Sequence, residues 1–393
     1  MFNPVVLRWA RERAFGPRIE ALTIKLKTSW KTIGPDVIRG WENGTIQPTF
    51  ADIRKLAKIY KRSLAVFFLD SPPDELSNPP DRRTIGSRDN EDISPKGLLV
   101  IRKARRTQAI SEGLYEELGE SPSFKYPKYS IRDSAEVLAA GIRSDFSISL
   151  REQTRFKKFE DFFEYLRTKI ENTGVITLKM GGSDTFPIKD CRAFSLTDPK
   201  PYVIVINNAD YEGAKNFSLA HEFAHILLRE PGICNNFRSF ETKNGKINEL
   251  EVFCNQFAAN LLLPKDDFLS HSALKNKKRI EKDEFIPIVK ELALDFKVSR
   301  VVVLRRMLTL DLIDKFAYAE KIDAWDKEIL PRRKKGGSFS VKTIIQKNGM
   351  AFSSLVAEAY RQNKISYAAI SDYLNINRKH VAGFIERLHS YGR

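Results

Sequence analysis

The sequence predicts an α+β fold that is mainly α-helical, with one small sheet in its central part. Apolar residues recur at helical spacing along most of the 393 residues, and helix-stopping residues separate the segments. Short runs rich in β-branched residues are confined to residues 174–207, where a small sheet is expected. One hydrophobic core rarely fills a chain of this length, so we expect two to four domains.

Breaker residues divide the chain into four predicted segments. Residues 1–72 form short helices, and a proline-rich stretch then opens a linker with connecting helices over 73–150. Residues 151–330 form the central domain, which ends in a helical subdomain at 285–320. The run Arg332–Gly337 is a predicted hinge into a basic helical domain over 331–393.

Each predicted element is bounded by a breaker or by a change of hydrophobic period. Gly16 and Pro17 end the first helix, and Pro231 and Gly232 end the longest helix of the central domain. The predicted helices are Val5–Phe15, Arg18–Leu26, Asp36–Glu42, Phe50–Tyr60, Pro95–Glu117, Ile131–Ile142, Glu160–Glu171, Tyr211–Arg229 and Ile247–Leu263, then two stretches within Phe285–Leu312 that turn at Lys297–Ser299. The predicted strands are Gly174–Met180, Cys191–Leu196 and Tyr202–Asn207.

Positive charge is concentrated at the two ends of the chain. The net charge is +16; residues 1–70 hold 13 Lys and Arg against 6 Asp and Glu, and residues 331–393 hold 12 against 3. Such basic ends favour contact with a polyanion such as DNA, and a solvated basic surface is the alternative. The three cysteines, the absence of a signal-peptide pattern and the lack of a long apolar run predict a cytoplasmic protein without membrane contact.

His221, Glu222 and His225 form an H-E-x-x-H pattern inside an apolar helix. Histidines four residues apart share one helical face, close enough to bind one zinc ion. Glu222 lies beside them and can reach a metal-bound water without being a ligand itself. A single helical histidine is more often a core or surface residue, but this combination predicts a catalytic zinc site.

Glu251, on the next predicted helix, is the best candidate for the third zinc ligand. Asn255 lies four residues later on the same face, where its side chain can accept the spare N–H of His221 and fix the ring. Taken alone, a residue such as Glu251 is more often a solvated helix carboxylate. The remaining histidines lie in a polar loop (His271) and in the basic C-terminal segment, and are poorer ligand candidates.

Two runs resemble the ImmA/IrrE-type zinc metallopeptidases: Phe217–Leu228, and Glu251 with Asn255–Ala259 and Pro264. The resemblance implies a thermolysin-like zincin core in which His221, His225 and Glu251 hold Zn²⁺. It also implies that Ile204–Asn208 is an edge strand where a substrate backbone pairs. Asn207 and Asn208 are then candidate substrate contacts.

The N-terminal segment resembles the XRE-type helix-turn-helix domains often fused to these peptidases. The residues that carry the likeness are Trp41–Gly44, Gln47–Thr49, Leu56, Ala57, Tyr60 and Phe67–Leu69. DNA contacts are expected from Lys31 and Arg39, and further basic contacts from the C-terminal domain. The stretch Lys27–Gly34 is longer than usual between the two core helices, so the recognition helix can be displaced and the domain can instead dock a protein.

These observations predict a zinc-dependent endopeptidase with Glu222 as the catalytic base. By resemblance, its substrate is a specific regulatory protein, a transcriptional repressor or an antitoxin-like partner, cleaved in a stress or mobile-element response. One alternative is a DNA-binding transcriptional regulator whose zinc site is structural or regulatory. Another alternative is a scaffold that binds a partner without cutting it. The complete set of Glu222 and three ligand residues argues against this scaffold role.

Overall fold

The computed structural model describes most of the chain in two compact units. Unit 1 comprises Met1–Asn78 and Ser87–Lys103, and unit 2 comprises Pro79–Gly86 and Ala104–Arg393. The residues described are 2–16, 19, 22, 33–60, 62–73, 94–181, 187–188, 190–230, 232–234, 249–275, 277–280, 284–326 and 340–391.

Unit 1 contains three described helices and a closing 3-10 turn around one small core. The helices are α1 (Pro4–Phe15), α2 (Pro35–Asn43) and α3 (Phe50–Tyr60), and the turn is Leu64–Phe68. Asn3 caps α1 through its side chain, and Thr49 and Asp52 form a reciprocal cap at the start of α3. Leu7, Ile38, Trp41, Leu56 and Phe67 lie in the core between them. The helix predicted at Arg18–Leu26 lies mostly outside the described residues.

A buried ion pair joins α1 to α2. Arg11 Nε lies 2.6 Å from Glu42 Oε1, and Arg11 Nη2 lies 3.0 Å from Glu42 Oε2. The paired geometry satisfies both charges, which otherwise would be costly to bury. Glu42 therefore belongs to the packing of this unit.

The helices of unit 2 surround one sheet, and α4 (Pro95–Glu117) crosses the boundary between the units. The first group is α5 (Ala135–Asp145), α6 (Leu150–Thr154) and α7 (Phe159–Glu171). The central group is α8 (Glu212–Leu228), α9 (Glu249–Leu262), α10 (Lys265–Leu269), α11 (Phe285–Asp295), α12 (Arg300–Thr309) and α13 (Lys315–Asp326). The last group is α14 (Val341–Asn348), α15 (Met350–Arg361), α16 (Tyr367–Tyr373) and α17 (Val381–Tyr391).

The sheet has four strands in the order β1-β3-β2-β4. They are β1 (Val175–Met180), β2 (Ala193–Leu196), β3 (Tyr202–Asn207) and β4 (Gly232–Cys234). β1 runs parallel to β3, and the other two pairings are antiparallel. The prediction that residues 204–208 form an edge strand is wrong, because β3 lies between β1 and β2. The sequence analysis also missed β4, since three residues are too few to show a strand period.

One continuous hydrophobic core joins α5 and α7 to α9, α11 and α12 around the sheet and α8. Every side chain of α8 from Gly213 to Leu228 is buried, as expected for a helix in the middle of a core. A Cβ on Gly213 would lie 2.7 Å from the carbonyl carbon of Val298. Only glycine therefore permits this close approach of α8 to the turn before α12.

The last helices of the chain pack against β1 and α7. Arg167 on α7 pairs with Glu171 and donates to the carbonyls of Gln346 (2.7 Å) and Thr177. Glu171 Oε2 accepts from the backbone N–H groups of Met350 and Ala351 at 2.9 and 3.1 Å, which caps α15. These contacts attach the C-terminal helices to the same unit as the sheet. The four predicted segment boundaries stay predictions.

The structure confirms the mainly helical α+β composition, and the individually predicted helices and strands that it describes agree with the observed ones within a few residues at each end. The helices α6, α10, α13 and α14 to α17 and the strand β4 had no individually predicted bounds. The helix predicted at Ile131–Ile142 begins later in the structure, at Ala135, because Ser134 supplies its N-cap. The proline-rich linker stretch predicted at 71–90 and the hinge at 332–337 lie almost wholly outside the described residues. None of the helices in the described part of the chain has the length and apolar character needed to span a bilayer.

Candidate metal centre

The side chains of His221, His225 and Glu251 converge in the core of unit 2. The two histidines project from one face of α8, and Glu251 projects from the first turn of α9, which packs against α8. The two Nε2 atoms are 3.2 Å apart. Glu251 Oε2 lies 3.3 Å from His221 Nε2, and Glu251 Oε1 lies 3.5 Å from His225 Nε2. All three side chains are buried.

Hydrogen bonds on the far side of each ring determine its tautomer. His225 Nδ1 lies 2.9 Å from the carbonyl oxygen of Glu230, which can only accept, so this nitrogen carries the proton. His221 Nδ1 lies 3.1 Å from Asn255 Oδ1. In neutral rings both Nε2 atoms then carry lone pairs that face each other and the Glu251 carboxylate, and three such donors favour a cation between them.

The spacing of these ligand atoms fits a tetrahedral zinc ion. Zinc bonds of ~2.0–2.1 Å to nitrogen and oxygen place neighbouring ligand atoms about 3.3–3.4 Å apart. The separation of the two Nε2 atoms, 3.2 Å, and that of His221 Nε2 from Glu251 Oε2, 3.3 Å, lie close to that value, and the other carboxylate oxygen lies 3.5 Å from His225 Nε2. Two histidines and one carboxylate leave a fourth coordination position open, as catalytic rather than structural zinc sites do.

The geometry also shapes the electrostatics of the two carboxylates. Burial acts to raise the pKa of Glu251, but the adjacent side chains of His221 and His225 outweigh it and hold that pKa below its ordinary value. Burial raises the pKa of Glu222, and the nearby charges of His225 and His221 oppose this shift. Within the described residues, no group meets hydrogen-bond geometry with either carboxylate oxygen of Glu222, although the Ser195 hydroxyl lies close enough to lower its pKa. An ionised acid so placed needs a water or substrate group beside it.

The end of α8 is built so that its backbone reaches back to His225. Arg229 adopts a left-handed conformation (φ 56°), which reverses the chain and brings the Glu230 carbonyl to the ring. The Arg229 guanidinium donates to the Tyr126 carbonyl at 2.8 Å and lies over the rings of Phe124 and Tyr202. These contacts offset the cost of about 1–2 kcal/mol of that conformation in a non-glycine residue.

The sequence analysis missed three contributors to this site. The Glu230 carbonyl could not be anticipated, because backbone acceptors have no residue signature. Arg229 is an ordinary residue in the sequence, and its role depends on its conformation. Ser195, a polar residue inside the otherwise apolar β2, lies close enough to influence the pKa of Glu222. A serine within a buried strand was the one available sequence signal.

The other predicted site residues lie elsewhere. Asn207 donates to the Cys191 carbonyl at 3.1 Å and accepts from the Ala209 N–H at 3.0 Å. Asn208 Oδ1 accepts from the buried Lys215 ammonium at 2.9 Å. These bonds shape the turn after β3, and a substrate role for the two asparagines stays a prediction.

The expected DNA contacts and His271 are only partly described. Arg39 is half-exposed on α2 and pairs with Asp36 at 3.2 Å, whereas Lys31 lies outside the described residues. His271 is buried rather than in a solvated loop. Its Nδ1 accepts from the Ala273 N–H at 3.2 Å and its Nε2 lies 3.0 Å from Asp295, so it caps a short 3-10 helix.

Comparison with known families agrees with this geometry. The model of the IrrE N-terminal-like domain, a peptidase family, matches residues 183–308, about a third of the chain. The matched segment contains the two histidines, Glu222, Glu251 and the helices that carry them. No curated protein matches the chain significantly, and no solved structure does. The similarity therefore supports a metallopeptidase-type domain in this part of the chain.

Proposed function

We propose that the chain is a zinc-dependent endopeptidase whose zincin-like centre consists of His221, His225, Glu251 and Glu222. The observation that carries the proposal is the convergence of two histidine Nε2 atoms and one carboxylate, 3.2–3.5 Å apart, beside the buried Glu222. The match of residues 183–308 to a peptidase family supports it. A structural zinc site has no need for a second buried acid beside its ligands.

Each residue of the centre has a distinct role in this proposal. His221, His225 and Glu251 hold zinc, and Asn255 and the Glu230 carbonyl orient the two rings. Bound zinc supplies a lowered water pKa and polarisation of the scissile carbonyl. Glu222 accepts a proton from the attacking water and delivers it to the leaving amine. The buried position of Glu222 excludes bulk water that would compete for these protons.

The substrate we propose is one specific regulatory protein in the cytoplasm, of the repressor or antitoxin type, cleaved in a stress or mobile-element response. This part of the proposal is supported by the resemblance of the two helices and by the basic segments on both sides of the central domain. Residues 1–72 would act as an XRE-like domain, 73–150 as a linker with connecting helices, 151–330 as the peptidase and 331–393 as a basic domain.

The test is the substitution Glu222→Gln, with Glu249→Gln, an exposed residue of α9, as the matched control. We expect both variants to bind one zinc per chain in metal analysis. Only Glu222→Gln should lose cleavage, seen as a partner protein that persists in cells carrying the variant and disappears with the wild type. Unchanged cleavage by Glu222→Gln would contradict the proposed mechanism.

A DNA-binding regulator with a structural zinc site is the second candidate, favoured by the segregated positive charge. In that case the cellular response survives Glu222→Gln and depends on the exposed Arg39 and on Lys31. DNA affinity should then fall steeply with salt, because several phosphates are neutralised. A flat salt response would remove the DNA-binding role.

A further inference from the structure

A cavity lies behind the metal centre, between α8, α9 and α12. Its walls include Phe217, Ala259 and Val302, which are apolar, and the side chains of Asn255 and Arg306. Its free space is about 50 Å³, and a buried water needs ~10–15 Å³ in the same measure. The cavity therefore has room for a few waters, or for a carboxylate with a short alkyl stem.

Two buried hydrogen-bond donors of this cavity lack acceptors among the described residues. The first is Nδ2 of Asn255, a residue with 7% of its surface exposed, whose Oδ1 is engaged by His221. The second is Nε of Arg306, a residue with 5% exposed, whose Nη2 donates to Asn260 at 2.8 Å. Buried donors are rarely left unpaired, so an acceptor is expected at this position.

The buried positive charge of Arg306 also indicates that an acceptor occupies the cavity. Within the described chain no carboxylate lies within ion-pair distance of Arg306. Burial lowers the pKa of Arg306, and the exposed Glu136 opposes this only through its charge. A second arginine, Arg305, also lines the cavity. A buried cation without a carboxylate at contact distance favours an anion over a neutral acceptor.

We propose that this cavity is a carboxylate-binding pocket, in which Arg306 Nε and Asn255 Nδ2 donate to one carboxylate on a short apolar stem. The apolar walls would hold the stem. The carboxylate can come from a Glu or Asp side chain of the peptide substrate, or from a free small carboxylate. The first source rests on the proposed peptidase function; the second does not.

The pocket is one side chain away from the metal centre. Asn255 uses its oxygen for His221 and presents its nitrogen to the cavity. His221 needs its Nδ1 proton there in order to offer Nε2 to a metal, so the amide orientation follows from the histidine tautomer. A carboxylate in the cavity would hold that amide in the orientation that suits the metal centre.

The first experiment measures binding of a free carboxylate to the full chain. Isothermal titration compares propionate with propionamide, its neutral analogue of the same shape. We expect the wild type to bind propionate and not propionamide, and Arg306→Gln to bind propionate at least tenfold more weakly. Arg300→Gln is the matched control, because it removes one charge from the same helix without lining the cavity. Ala259→Leu, which fills the cavity and keeps both donors, should also abolish binding.

The second experiment maps the cleavage sites of the wild type in a mixture of peptides. A substrate carboxylate in the pocket predicts enrichment of Glu or Asp at one fixed position from the scissile bond. That enrichment should disappear in Arg306→Gln and persist in Arg300→Gln.

The two experiments separate the possible outcomes. Propionate binding without a positional preference assigns the pocket to a free carboxylate, and a preference without propionate binding assigns it to the substrate. If the wild type shows no propionate binding and no positional preference, the proposed pocket is overturned. If the wild type cleaves nothing, the proposed function fails, and propionate binding alone then decides whether the pocket exists.

Discussion

Replacement of Asn255 by alanine should weaken zinc binding although the metal ligands are untouched. The side chain accepts from His221 Nδ1 at 3.1 Å inside the core, where 7% of its surface is exposed. Its removal leaves a buried N–H unpaired, at a cost of about 1–3 kcal/mol. It also frees the ring to rotate or to change tautomer. Since 1.4 kcal/mol corresponds to a factor of ten, we expect zinc affinity to fall about 10–100-fold.

The assay is competition for zinc against a chromophoric chelator at fixed pH. Gln256→Ala is the control, because Gln256 is the exposed neighbour on the same helix and should leave the affinity unchanged. Asn255→Asp keeps an acceptor at the ring and should retain or increase the affinity. An affinity of Asn255→Ala within threefold of the wild type would refute the view that this amide orients His221.

Two further predictions concern the attachment of the C-terminal helices. Gly349→Ala should lower the free energy of unfolding by at least about 1–2 kcal/mol in chemical denaturation, because φ is 82° there and a Cβ would lie 2.7 Å from the Thr177 carbonyl oxygen. The control Gly141→Ala has open space around its Cβ and should be neutral or stabilising. Equal effects of the two substitutions would contradict this prediction. Arg167→Ala should cost about 3–5 kcal/mol, because it leaves the Glu171 carboxylate buried without its cation; a loss below 1 kcal/mol in the same assay would show that the pair is dispensable.

The candidate metal centre was predictable because its side chains are spaced by one helical turn within each helix. His221 and His225 are one helical turn apart, and Asn255 is one turn from Glu251, so each pair had to share a face once the helices formed. That α8 and α9 meet at these faces depends on packing across the chain. The sequence indicated this meeting only through the apolar character of both helices.

The sheet was less predictable, for a different reason. Strand period identifies β1 to β3, but the order β1-β3-β2-β4 follows from pairings between residues distant in the chain. The run Tyr202–Asn207 is apolar on both faces, which indicates a central strand, whereas the family resemblance suggested an edge. The residue pattern was the better guide here.

The cavity behind His221 was not predictable from the sequence. Arg306 looks like one of many basic residues in a helix with polar and apolar faces. Its burial, without a carboxylate of the described residues at contact distance, arises only when α12 packs against α8 and α9. Unsatisfied groups of this kind are properties of tertiary structure.

The left-handed turn at Arg229 ties the metal centre to a segment far from it in sequence. The Phe124 ring and the Tyr126 carbonyl hold the arginine, and the Tyr129 N–H donates to the Leu227 carbonyl at 3.0 Å. The same turn sets the position of the Glu230 carbonyl, which accepts the hydrogen bond from His225 Nδ1. Packing of the segment that contains Phe124, Tyr126 and Tyr129 against the end of α8 is therefore thermodynamically linked to the affinity of the site for a cation. A partner that pulled this segment away would weaken metal binding without contacting a ligand.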